Sequence, residues 1–152
     1  MRSLRNWLMG LALISLWLPA QAIITGELIM LRSEKPFDQA MESLELAIKK
    51  QGYSVTGVRR VDQGLAKSGY KSDKYRVVFF EKADENNALT DSHPELLPYL
   101  PLKIVVFAEA GETLLVTADP DTFNDLFSDP RLKDLFHRWH EDVVNIIQSV
   151  QN

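Results

Sequence analysis

The chain has no cysteine. That excludes disulfides, thiol nucleophiles and thiolate-ligated zinc together, and it also rules out a lipid attached through an N-terminal Cys. Positive charge is short as well: 17 Lys and Arg stand against 21 Asp and Glu. Two of the basic residues, Arg2 and Arg5, lie in the first 22 residues, which contain no acid, so residues 23–152 carry 15 basic and 21 acidic groups, a net −6. A protein that displaces counterions from phosphates needs a basic face, so this balance argues against a nucleic-acid partner. The sequence has no Gly-x-Ser-x-Gly elbow, no glycine-rich phosphate loop after a strand, no His-Glu-x-x-His and no calcium loop built around a glycine. Internal repeats and low-complexity tracts are missing too. Nothing in the chain names a reaction or a cofactor, which weighs against an enzyme.

What is present begins with an address. Arg2 and Arg5 precede an apolar stretch over residues 7–18, and Pro19 then leads into Ala20-Gln21-Ala22, a small-x-small cleavage site. The stretch is 12 residues long, against the roughly 20 needed to cross a bilayer. Residues 1–22 therefore read as a signal peptide cleaved after Ala22, leaving no stable membrane span. Residues 23–152 are the length of one domain with one core. The expected location is across the inner membrane, in the periplasm.

The mature chain is organised around residues 100–120. Ile104-Val105-Val106-Phe107-Ala108 and Thr113-Leu114-Leu115-Val116-Thr117-Ala118 are β-rich runs separated by Glu109-Ala110-Gly111-Glu112, which predicts a hairpin. Before it, residues 27–32 read as a strand. Pro36 opens a helix whose buried face is Phe37, Ala40, Met41, Leu44, Ala47 and Ile48, and Gly52 stops it. Residues 53–58 read as a strand with a bulge near Gly57, 62–72 as a short helical turn and loop, and 74–80 as a strand. Asp84-Glu85-Asn86-Asn87 reads as a polar turn, and residues 88–100 as a loop with one helical turn. After the hairpin comes a short helix over 121–127. Asp129 and Pro130 then start the last helix, whose stripe is Leu132, Leu135, Phe136, Trp139, Val143, Ile146, Ile147 and Val150. The order β-α-β-β-β-β-α predicts an α+β domain, a five-stranded antiparallel sheet with two main helices on one face.

Two helices cover one face of such a sheet. The middle strands nonetheless carry apolar residues at consecutive positions, so the other face is expected to be apolar too, a mark of a partner surface or ligand groove. The residues expected there are Val78, Phe80, Val105, Phe107 and Leu115, with Leu97 and Tyr99 from the loop. A one-residue change of register instead exposes Tyr75, Val77, Phe79, Ile104, Val106 and Leu114. Three occupants fit an apolar face: the 88–100 loop itself, a second copy of the chain in a homodimer, or a small apolar ligand.

The primary reading is an exported, soluble, non-enzymatic module that binds a small ligand or a protein through that face. A second reading uses the last helix, where His137, His140 and Glu141 share one turn and are spaced to reach one metal ion. The sheet face is the stronger of the two, because solvated helix residues of these types are common without a metal. His93, between Ser92 and Pro94, reads as a turn residue. Asp119, Asp121, Asp125 and Asp129 are explained by helix capping.

The segment from Leu100 to Phe107, with Gly111 and Pro120, resembles the family called domain of unknown function 302, DUF302. Pro36-Phe37, Gly52-Tyr53 and Gly69 add to the likeness, which spans roughly residues 26–150. The resemblance implies a fold similar to the TATA-binding-protein arrangement of strand, helix, four strands and helix. It implies no chemistry, since its motifs are structural and fold does not fix function.

Overall fold

The computed structural model describes residues 22–24 and 26–151. The leader, apart from Ala22, lies outside the described residues. In chain order the elements are β1 (Ile23–Ile24), β2 (Leu28–Ser33), α1 (Phe37–Lys50), β3 (Ser54–Arg60), α2 (Val61–Lys67), β4 (Tyr75–Glu81) and α3 (Ala83–Ser92). A 3-10 turn (Pro94–Tyr99), β5 (Leu102–Glu109), β6 (Glu112–Ala118), a second 3-10 turn (Pro120–Asp125) and α4 (Pro130–Ser149) complete the chain.

The strands form an antiparallel sheet in the order β1-β2-β6-β5-β4-β3. This is the expected five-stranded α+β sheet, with the two residues of β1 added along the β2 edge. The β5–β6 hairpin sits in the middle. Its two-residue turn places Ala110 at φ 51° and Gly111 at φ 88°, the left-handed pair that a tight hairpin needs to match the twist of its strands. α1 carries the chain from β2 at one side of the sheet to β3 at the far edge.

α1 and α4 cover the same face. α1 packs on β3, β5, β6 and α4, while α4 packs on β2. Its stripe of Leu132, Phe136, Trp139, Val143, Ile146, Ile147 and Val150 is buried as its spacing predicts. Asp129 caps α4, its carboxylate accepting the Arg131 N–H at 2.9 Å, with Pro130 at the first helical position. Gly52, at φ 83°, ends α1 in the conformation glycine adopts without strain.

Two elements differ from the sequence reading. α3 replaces the expected polar turn. Its helix is anchored from outside itself: Leu89 is its one buried residue, and Glu85 accepts the Trp139 indole N–H at 2.8 Å and pairs with Arg138. The 88–100 segment packs with the helices, since Leu96 is in the core and Tyr99 lies 5.1 Å from Phe123 and 5.5 Å from Phe127, both of which touch Phe136 of α4. It does not cover the far face of the sheet.

Candidate functional site

Strand register decides what the uncovered face presents. Val78 pairs with Ile104, Phe80 with Leu102, and Val106 with Leu115. Directly paired residues share a face, and this set is buried under the helices. On the other side Tyr75 pairs with Phe107 and Val77 with Val105, then Val105 with Val116 and Phe107 with Leu114. Met30 continues the row by pairing with Val116. All of these open-face residues are half-buried, sheltered by one another.

The expected surface is thus corrected in part. Val78, Phe80 and Leu115 are 0% exposed beneath α1 and α4 and cannot line an open face, whereas Val105 and Phe107 do. The alternative set divides as well: Tyr75, Val77, Phe79 and Leu114 lie on the open face, and Ile104 and Val106 are in the core. Alternation within each strand is legible in the sequence, but the offset between strands is not, and both sets joined strands one residue out of step. Leu97 is 46% exposed on the first 3-10 turn, and Tyr99 belongs to the aromatic cluster on the helix side.

The open face has a polar rim. At the hairpin end Arg32 reaches Glu109 at 2.6 Å and Glu112 at 3.1 Å. At the opposite end Lys103, paired in register with Phe79, has no ion-pair partner among the described residues. Where β4 and β5 meet the 68–74 loop, an open cleft of about 490 Å³ runs along Ser72, Asp73, Lys74, Tyr75, Phe107, Ala108 and Glu109. The Tyr75 and Phe107 rings meet edge to face at 6.1 Å on its floor.

A second group of polar side chains lies where the second 3-10 turn meets α4. The rings of His137 and His140, one turn apart, are parallel within 6° with centroids 6.0 Å apart. His140 Nδ1 lies 2.7 Å from Asp119 Oδ1 and 3.8 Å from Asp121 Oδ2, and His137 Nδ1 lies 3.3 Å from Asp121 Oδ2. Asp119 is held in turn by the Asp121 N–H, which donates to its Oδ1 at 3.0 Å. The bond to Asp121 raises the His137 imidazole above its ordinary pKa. Glu141, the expected third partner, meets His137 from its Nε2 side at 3.7 Å, away from the two aspartates. The capping role of Asp119 was legible; its closeness to His140, 21 positions later, was not. His93 sits between α3 and the first 3-10 turn with Nδ1 3.1 Å from Glu95, a turn residue as expected.

A third cluster went unread in the sequence. Asp142 interrupts the apolar stripe of α4 and is buried, accepting from Tyr53 Oη at 2.7 Å, Gln51 Nε2 at 2.7 Å and Lys82 Nζ at 3.2 Å, with Arg138 3.8 Å away. Burial alone pushes the Asp142 carboxyl up, but the bonds from Tyr53, Gln51 and Lys82 outweigh it and hold it below its ordinary value. Burial and the same carboxylate raise the Tyr53 phenol well above its own, so it stays protonated. An ionised acid satisfied by fixed donors pins β3 and the β4–α3 junction to α4. The only sequence signal was one Asp inside the stripe.

No curated protein matches the chain. A solved structure that is similar to it is described as the crystal structure of an uncharacterized conserved protein DUF302 from Bacillus stearothermophilus; it shares 19% sequence identity, covers 83% of this chain and 99% of its own, and superposes with a TM-score of 0.75. At that identity the likeness speaks for the fold. The sequence itself matches the family described as Domain of unknown function DUF302 over residues 29–150, and the chain belongs to that family.

Proposed function

We propose that this protein is an exported periplasmic binding module, not an enzyme, and that its working surface is the open face of the sheet with a second copy of the chain as occupant. The observation that carries the reading is the continuous apolar row from Met30 through Val116, Val105 and Val77, on the side the helices leave bare. Apolar surface of that extent is costly to leave in water.

Size and charge favour a like face as the cover. Five strands about 4.8 Å apart and about seven residues long make a plane of roughly 24 by 23 Å, or about 550 Å² before side-chain relief is counted. A standard interface takes about 800 Å² per partner. The rim is self-complementary: a two-fold axis in the sheet plane, across the strands, sets Lys103 of each copy towards the Glu109 and Glu112 end of the other. Export rests on the leader pattern of residues 1–22. The non-enzymatic reading is supported by the Asp142 network, whose donors and acceptor are all engaged within the fold.

Native mass spectrometry of the purified protein tests this. Doubled mass supports the reading, and Phe107→Asp on the open face should return the protein to single mass while its circular dichroism stays native. A monomer carrying organic mass would reassign the face to a small apolar ligand bound near the Tyr75 and Phe107 cleft. A bare monomer at all concentrations overturns the proposal.

A further inference from the structure

Two carboxylates are buried among the described residues, Asp119 and Asp142. They are neutralised differently. Asp142 meets Lys82 and Arg138, which carry permanent charge. Asp119 meets neither Lys nor Arg; its ion-pair partner is His140, and Asp121 and Glu141 likewise meet only His137 or His140. Three carboxylates thus face two imidazoles. A buried carboxylate ordinarily requires a charge partner, and among the described residues neither Lys nor Arg supplies one to Asp119.

The donor geometry points the same way. One ligand atom each from Asp119, Asp121 and His140 lies within 4.8 Å of the others. Donors at about 2.0–2.2 Å from a tetrahedral ion sit about 3.4 Å apart. The separations of His140 Nδ1 from Asp119 Oδ1, 2.7 Å, and from Asp121 Oδ2, 3.8 Å, straddle that value. The positions are not left to chance: Asp119 is fixed by burial and by the Asp121 N–H, and His140 by its place on α4 beside the buried Trp139.

We infer that Asp119, Asp121 and His140 form a three-ligand site for a borderline divalent cation of the zinc class. Mixed imidazole and carboxylate ligands suit zinc, whereas magnesium and calcium take oxygen alone. Loading releases to solvent the proton of the hydrogen bond between His140 Nδ1 and Asp119 Oδ1, and both atoms turn to the cation instead. The site keeps His140 from the sequence reading, leaves His137 beside it as a hydrogen-bond partner of Asp121, and replaces the exposed Glu141, on the wrong side of the His137 ring, with two aspartates from the preceding turn. It is independent of the sheet face.

The test is equilibrium dialysis of the purified protein against zinc sulfate, with bound metal counted by mass spectrometry and affinity followed by titration calorimetry. One zinc per chain is expected, with no uptake from magnesium or calcium chloride. His140→Ala and Asp121→Asn should each weaken binding by about tenfold or more, while Glu141→Gln stays within about twofold of the parent, a difference of about 0.4 kcal/mol. Each variant is judged with native circular dichroism, and His140→Gln replaces His140→Ala if the latter unfolds. Absence of zinc at stoichiometric level overturns the inference. So does zinc retained by both His140 variants, or zinc lost on Glu141→Gln alone, which assigns it to the exposed helix face.

Discussion

Ala110 occupies a position most residues avoid. At φ 51° a side chain with a Cβ crowds the neighbouring carbonyl, at about 1–2 kcal/mol per residue, a cost glycine escapes and asparagine offsets by local hydrogen bonding. Ala110→Asn is therefore expected to raise stability by about 0.5–1 kcal/mol, read as a higher urea midpoint with unchanged slope. A lowered midpoint would show that the turn relies on something other than its backbone angles. Asp142 tests the opposite sign. Asp142→Asn leaves Lys82 and Arg138 facing a neutral amide and should cost about 2–3 kcal/mol at pH 7. The native carboxyl titrates below its unfolded value of about 3.9, so the fold prefers it ionised; its contribution is whole above that value and lost as pH falls through the lowered native one. The parent should accordingly lose stability below about pH 4 more steeply than Asp142→Asn does. Parallel urea midpoints for the two proteins from pH 7 to pH 2.5 would refute that assignment. Neither residue announces its role in the sequence. Ala110 is an ordinary residue in a forced conformation, and the partners of Asp142 come from positions 51, 53, 82 and 138.

Elements with a strong local signature were the legible ones. α4 has its cap, its proline and a full apolar stripe; the hairpin has two β-rich arms and a glycine at the turn; the slip near Gly57 is a real change of register between Val55 and Gly57. α3 was illegible for the converse reason, because its Asn86-Asn87 centre reads as a turn and its anchors, Glu85 and Leu89, act only against α4 and the core. The same limit explains the mixed face assignment. Each strand declares which of its residues alternate, but pairing Val78 with Ile104 instead of Val105 is fixed by turn lengths and helix packing. Neighbouring positions on β5 should therefore respond unequally. Ile104→Ala, fully buried, is expected to cost about 3 kcal/mol, and Val105→Ala about 1 kcal/mol or less in protein dilute enough to remain unassociated. Equal losses in chemical denaturation would mean that both faces of the sheet are enclosed within one chain.

For the whole molecule, the proposed second copy on the apolar open face would tie folding to concentration. If a second copy covers it, only folded chains have the face to offer, so association withdraws folded protein from the unfolding equilibrium. Above the dimer dissociation constant, each tenfold rise in concentration adds about 1.4 kcal/mol per dimer, about 0.7 kcal/mol per chain. For a domain of this length that raises Tm by about 2–3 °C per decade. Scanning calorimetry from micromolar to millimolar protein should show that rise in the parent and lose it in Phe107→Asp, which sets a carboxylate at the centre of the contact. Lys103→Glu probes the rim in the same scans: it sets like charges against Glu109 and Glu112 of the facing copy and should flatten the dependence, while Glu34→Lys, on the exposed β2–α1 turn, should leave it intact. A Tm independent of concentration in the parent, with Phe107→Asp equally stable at every dilution, would mean that the row from Met30 to Val77 is tolerated bare, and the interface would have to be sought elsewhere on the domain.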